Sequence, residues 1–365
     1  MTAKSELFEN LEKLRESEGK VALATLVNTR GTTPRKEGAQ MLVGEGGRIL
    51  GSVTIGGCVD AQVIEESAAV LDRNRPRLLE LDLGDEEAWE IGLTCGGTIE
   101  VFMEPVTLDR SGDATLAFYE RARTHADTGG RAAIVTRLDA DGNGAKRLVL
   151  DTGTVEGSLG DAELDRRVTE EARAALAGGK SKTLTLDGVR AFVEILAPPS
   201  ILAIVGASHV AMPLVTLART LGYRTVVVDG RPRFATRERF PDVDDLRIGI
   251  PSDLVREIPM LPTTALVLVA HDYKYDVPVL KHALASPVGY IGLLGSSRRG
   301  AAILNILKED GVAEDALARV RVPIGLDLGA QSAPEIALAI LAEVLAVHRN
   351  ATGMPIVEKV RRGLK

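Results

Sequence analysis

Hydrophobic and polar positions change their rhythm once along this chain, at "LAPPS", where Pro198 and Pro199 follow the strand-like "RAFVEIL". Upstream, short alternating runs are mixed with helical ones. "KVALATLV", "AQMLV" and "RILGSV" predict strands, with "GEGG" as the turn between the last two. "VDAQVIEESAAVLDR" predicts a helix, because Val59, Val63, Ile64, Val70 and Leu71 fall on one face. "TIEVFMEPV" alternates like a half-buried strand, with Ile99, Val101 and Met103 on one side. From about Ala114 the pattern continues as helix, a hairpin around "DADGNG", helix and strand, and no internal repeat is evident.

Downstream the pattern is regular: "ILAIVG", helix, "RTVVVDG", a loop, "ALVLVAHD", helix, "VGYIGLLG", helix. Buried apolar strands separated by helices indicate βαβ units. The predicted class is α/β: a mixed α+β N-terminal domain over 1–197, then a Rossmann-like domain with a doubly wound parallel sheet over 200–350. The last helix has a strong start, since Ser332 and Glu335 fit a capping box with Pro334 in the first turn.

Composition narrows the function. The 365 residues carry a formal net charge of −7, which disfavours general attraction to nucleic acid or an anionic membrane, so any anion must be bound locally. Aromatic residues make up 3%, too few for base-stacking platforms. No stretch approaches the roughly 18 consecutive apolar residues of a membrane span. The N-terminal segment places Leu7, Phe8, Leu11 and Leu14 at helical spacing among charges, an amphipathic helix and not a signal peptide. With only two cysteines a disulfide framework is excluded, and a cytoplasmic protein with reduced thiols is expected.

Both cysteines touch glycine pairs. In "TIGGCVD", Gly56 and Gly57 lead into a predicted helix whose first turn holds Cys58, where unpaired amides and the helix dipole favour a thiolate. The competing reading is a small buried residue in a tight turn. In "TCGGT", Cys95 precedes Gly96, Gly97 and a strand, and the same two readings apply. Zinc is disfavoured, because neither thiol has a CxxC partner or a nearby histidine. Between the first two strands, Arg30, Arg35 and Lys36 surround Pro34, either as solvated turn charges or as a phosphate-neutralising loop.

The second domain offers a nucleotide-type site. A dinucleotide fingerprint would put glycines at Gly206, Ser208 and Ala211; Ser208 obstructs the close approach of pyrophosphate, while its hydroxyl is able to donate to phosphate. Asp229 is placed for a ribose hydroxyl and Arg231 for phosphate. His271 and Asp272 stand at a strand end, Asp276 is expected to cap the following helix, and Ser296, Ser297, Arg298 and Arg299 open another helix as an anion cradle or as a cap with surface arginines. Gly325, Asp327 and Gly329 form a further glycine-rich turn.

In order, "GTTPRKEGAQMLV", "GSVTIGGCVDAQV", "CGGTIEVFMEP", "VGASHVA", "VVDGRPRFATRERFP", "AHDYKYD", "GLLGSSRR" and "PIGLDLGAQSAPEIALAILAE" closely resemble the XdhC/CoxI family of accessory factors for molybdenum hydroxylases. The resemblance implies a homodimeric chaperone without independent turnover. It would bind molybdenum cofactor, as molybdopterin or its dinucleotide form, exchange a terminal oxo ligand for sulfido with a cysteine desulfurase as donor, and deliver the product to an apo molybdenum hydroxylase. It implies Cys58 and Cys95 as thiols facing sulfur or molybdenum, with His271 at the family's histidine. Arg35, Lys36 and the glycines Gly56, Gly57, Gly96 and Gly97 would line the cofactor, as would Gly206, Ser208, His209, Asp229, Arg231, Ser296 and Arg298. The rival expectations are an NAD(P)-dependent oxidoreductase and a redox-sensing dimer.

Overall fold

The computed structural model describes residues 3–15, 17–31, 33, 35–55, 57–82, 97–108, 112–139, 143–270 and 273–363. The chain divides into two units, residues 2–198 and 199–365.

In the first unit, helix α1 (Ala3–Arg15) buries Leu7, Phe8, Leu11 and Leu14, the face its spacing predicts. Strand β1 (Lys20–Gly31) is covered on both faces, with Val21 to Val27 all buried. It lies at the centre of an antiparallel sheet in the order β3-β2-β1-β5-β4, built from β2 (Gln40–Gly44), β3 (Ile49–Gly51), β4 (Arg77–Asp82) and β5 (Gly97–Thr107). Helix α2 (Cys58–Arg73) joins β3 to β4 and ends at Asn74, whose φ of 50° turns the chain back.

A second sheet follows. Helix α3 (Ala114–Asp127) is capped by Asp113, which accepts the Leu116 amide at 3.0 Å. Then come β6 (Ala132–Arg137), β7 (Lys146–Leu150), β8 (Val155–Gly157), α4 (Ala162–Gly178), β9 (Lys182–Leu186) and β10 (Val189–Leu196). Their order is β8-β7-β6-β10-β9, the same arrangement as in the first sheet. The sequence shows no repeat, yet the topology does.

Polar side chains join the two sheets. Lys146 meets Glu104 at 2.8 Å and the Thr136 hydroxyl at 2.9 Å, with both ionic side chains almost fully buried. Tyr119 donates to Glu194 at 2.7 Å and accepts from Gln40 at 3.1 Å. Burial, together with the Glu194 and Glu104 carboxylates, pushes the Tyr119 phenol far above its ordinary value and keeps it a donor. Removing one partner of a buried pair such as Lys146 and Glu104 costs about 3–5 kcal/mol, so these contacts fix how the sheets meet.

The second unit is a parallel sheet in the order β13-β12-β11-β14-β15-β16. Its strands are β11 (Ile201–Val205), β12 (Arg224–Asp229), β13 (Asp245–Ile248), β14 (Thr264–Leu268), β15 (Tyr290–Leu293) and β16 (Val320–Arg321). That is the order of doubly wound nucleotide-binding folds, with the switch point between β11 and β14. Helices α5 (Ala211–Thr220), α6 (Tyr273–Leu284), α7 (Ser297–Glu309) and α8 (Ala333–His348) accompany it, and a short α9 (Ile356–Arg361) ends the chain. Apolar cores lie on both faces of the sheet. Ser332 and Glu335 form the capping box of α8. Among the described residues no helix is long and apolar enough to cross a membrane.

His348 closes α8 against the Tyr223 ring, whose hydroxyl lies 3.2 Å from Nδ1. Burial pushes this imidazole below its ordinary value, aided by the Arg349 charge and opposed by the Thr264 backbone. The unfolded chain therefore takes up a proton near pH 6.5 that the folded unit resists, and this part of the stability is present above that pH and lost as pH falls below it. Thermal melts from pH 7.5 to 5 should show a declining midpoint that is flatter in His348→Gln; equal slopes would refute the assignment.

Candidate functional site

The register of β1 decides what meets at one end of the first sheet. Gly31, the last residue of β1, is paired with Gly97, the first of β5, and Thr25 is paired with Gln40, the first of β2. Gly51, which ends β3, faces Met41. A Cβ on Gly97 would stand 2.3 Å from the Arg30 carbonyl, so only glycine permits this approach. The loop after β1, the turn from β3 into α2 and the entry to β5 therefore share one edge. Cys95 and Gly96, which directly precede Gly97 in the chain, lie outside the described residues, as do Gly56 and His271. Cys58 is the first residue of α2, and its side chain also lies outside them.

One carboxylate organises the turn before Cys58. Asp60, 8% exposed in the first turn of α2, accepts the Thr54 amide at 3.3 Å, the Thr54 hydroxyl at 3.0 Å and the Ser52 hydroxyl. Arg35 reaches across from the basic loop and donates to the Ser52 carbonyl. Between these anchors Ile55 is 78% exposed. Gly57 caps α2 with φ 96° and without a side-chain bond, and among the described residues nothing stands within 4 Å of where its Cβ would be. The helix thus begins with backbone that no described side chain covers.

The charges here are not equivalent. Glu100 would be raised by burial, but Arg190, Asn28 and Arg30 overcome this and hold it below the usual carboxylate range, so Arg30 is answered by an anion. Arg35 and the exposed Lys36 have no carboxylate partner among the described residues. They are cations available to an external anion. Sequence reasoning missed Asp60, Ser52 and Thr54. The available signal was a carboxylate in the first turn of a predicted helix after a hydroxyl-bearing stretch.

The carboxyl end of the second unit's sheet is more self-contained than its sequence suggests. Gly206 has φ 109°, and a Cβ there would lie 2.6 Å from the Ala270 amide nitrogen; the glycine serves close packing of the loops after β11 and β14. Asp229 is filled: Oδ1 accepts the Arg231 amide at 2.8 Å and Nε at 2.9 Å, while Oδ2 accepts the Ala207 amide at 2.6 Å and Arg231 Nη2 at 2.8 Å. Burial alone would raise this carboxyl, yet Arg231 and the two amides hold it below its ordinary value. A ribose diol would have to displace Arg231, which also stacks over Phe234 at 4.4 Å. The Ser208 hydroxyl is buried without a hydrogen-bond partner among the described residues, and His209 beside it is exposed.

Asp276 corrects one expectation. Helix α6 already runs from Tyr273, so Asp276 is not its cap; it is fully buried and takes the Arg299 guanidinium, which also reaches the Ala270 carbonyl at 3.3 Å. Ser296 caps α7 by accepting the Arg299 amide at 3.3 Å, and Arg298 stays exposed. Arg299 thus belongs to the fold.

Known proteins share this organisation. The profile of the XdhC and CoxI family matches residues 14–82 and 125–187, and that of the XdhC Rossmann domain matches 202–344. A Bacillus subtilis (strain 168) protein described as a probable xanthine dehydrogenase subunit is 28% identical over 93% of this chain and 97% of its own length. The molybdenum cofactor insertion chaperone PaoD of Escherichia coli (strain K12) is 29% identical over 93% of this chain and 86% of its own. The crystal structure of a xanthine dehydrogenase from Bacillus halodurans superposes with a TM-score of 0.77 at 28% identity, covering 96% of each chain.

Asp60→Asn keeps the volume but removes an ionised acceptor from three donors. It should cost about 2 kcal/mol in urea unfolding and speed amide exchange across residues 52–57. Unchanged exchange there would show that Asp60 does not hold the turn.

Proposed function

Because the chain belongs to the XdhC and CoxI family, we propose that it binds molybdenum cofactor as cargo and prepares it for insertion into a molybdenum hydroxylase of the xanthine or carbon monoxide dehydrogenase type. What supports the reading is that the Gly31–Gly97 pairing and the Arg35 bond to the Ser52 carbonyl put the basic loop, the entry to β5 and the turn into α2 at the same end of one sheet. The cargo is an anionic pterin phosphate with a soft metal-dithiolene end. It calls for cations and amides at one end and sulfur at the other.

The residues present fit such a cargo. Among the described residues nothing covers Gly57, which leaves the first-turn amides of α2 accessible to an anion. Arg35 and Lys36 supply charge for phosphate. The role assigned to Cys58 and Cys95 is sulfur exchange, with a cysteine desulfurase as the sulfur source and the apo-hydroxylase as recipient. Taken by itself, the second unit offers the Ser208 hydroxyl, His209 and the exposed Arg298 to a nucleotide or phosphate at the end of the parallel sheet, while Arg231 stays on Asp229. In this reading the protein is a cytoplasmic homodimer without turnover of its own. The filled carboxylate of Asp229 disfavours the oxidoreductase alternative.

Co-expression with cofactor-producing genes, followed by molybdenum and pterin analysis and by activation of apo-hydroxylase, tests the reading. Cys58→Ala and Cys95→Ala should each lower activation at least about tenfold, a rise of about 1.4 kcal/mol in the transfer barrier. Activation equal to that of the parent would remove the thiols from the mechanism. Arg35→Ala with Lys36→Ala should weaken cofactor retention more at low salt than at high, because screening already reduces these charges at high salt. Equal losses at both would argue against a phosphate role.

A further inference from the structure

The two sheets of the first unit correspond residue by residue. Thr25 in β1 pairs with Gln40 in β2 and Phe102 in β5; Thr136 in β6 pairs with Lys146 in β7 and Phe192 in β10. Leu23 is paired with Glu104, and Ile134 with Glu194. The helices agree as well. Asp60 accepts the Thr54 amide and Asp165 accepts the Leu159 amide, six residues back in both cases. Val63 and Val168, at matching places in α2 and α4, are both fully buried. α1 corresponds to α3, with Phe8 at the place of Tyr119.

Contacts between the halves are reciprocal. Lys146 of the second half reaches Glu104 of the first at 2.8 Å, and Gln40, its counterpart, reaches Glu194 at 3.4 Å. Glu100 and Arg190, each two residues before its phenylalanine, pair with each other. Val27, Phe102, Leu138 and Phe192, two corresponding pairs, form one buried cluster. A contact from i to j matched by one from j to i is the signature of a twofold interface between like protomers. Independently, the two stretches matched by the family profile begin at Leu14 and His125, which stand at equal distances before Thr25 and Thr136.

We infer that the first unit is two copies of one αβββαββ module, assembled as an internal dimer, and that only the first copy keeps a ligand-binding edge. Where the first has Gly57 and Cys58 at its helix start, the second has the capping carboxylate of Asp161, then Ala162 and Glu163. Those acids repel an anion, and no thiol is present. The second copy serves the first as a built-in partner, covering the face that a lone module would expose. Resting on the function proposed above, the consequence is one cargo molecule per chain rather than two.

Restoring the symmetry tests the duplication. In full-length Gln40→Lys with Tyr119→Phe, Lys at position 40 should find Glu194 and Thr25 as Lys146 finds Glu104 and Thr136. Its melting midpoint should stay within about 2 °C of the parent, whereas Gln40→Lys with Glu194→Gln, which buries an ammonium without its carboxylate, should fall by about 10 °C. An equal fall in both variants overturns the inference. In loaded protein, one molybdenum per chain supports a single live copy and two overturns it. A failure to load at all counts against the proposed function, while the melts still decide the duplication.

Discussion

The candidate site depends on the pairing of β1 with β5. β1 is a 12-residue strand at the centre of its sheet, and its final pair, Gly31 with Gly97, is a backbone contact that admits no side chain. Shifting that register by one residue would turn every side chain of the strand to the opposite face and separate the basic loop from the entry to β5. The shift is resisted because it would exchange two differently packed faces, Val21 and Leu23 against one core and Ala22, Ala24 and Leu26 against another. Packing energy in the strand's middle thus fixes geometry at its end.

Around that edge, polar contacts do the fine positioning. Asp60 gathers Ser52 and Thr54, and Arg35 joins the basic loop to the same turn, so the start of α2 is held from two sides. The parallel-sheet unit behaves differently. Its most conspicuous groups are spent on each other, Asp229 with Arg231 and Asp276 with Arg299, which leaves a nucleotide-type fold whose acidic ribose ligand is already occupied.

Local signals were legible in the sequence and distant ones were not. The Ser332–Glu335 box, the α2 face and the strand-helix alternation after Pro199 depend on neighbours within a few residues, and periodicity exposes them. Strands β4 and β9 are short edge strands beside polar turns and gave no clear period. Asp276 looked like a cap because its partner, Arg299, is 23 residues away. Arg231 looked like a phosphate ligand because nothing in a linear string shows a guanidinium folding back on the carboxylate two positions earlier. The duplication was hidden in the single sequence for the same reason: it survives as Thr25 with Thr136, Phe102 with Phe192 and Glu104 with Glu194, identities too sparse to form a visible repeat.

The central claim is that the segments bearing the two thiols serve one site on one sheet edge. The direct measurement is thiol bridging with dibromobimane, which fluoresces once it has joined two sulfurs, followed by peptide mapping. The account predicts an intrachain bridge between Cys58 and Cys95 at one reagent per chain, absent from either single cysteine variant. Two separately alkylated thiols with no bridged peptide would contradict it.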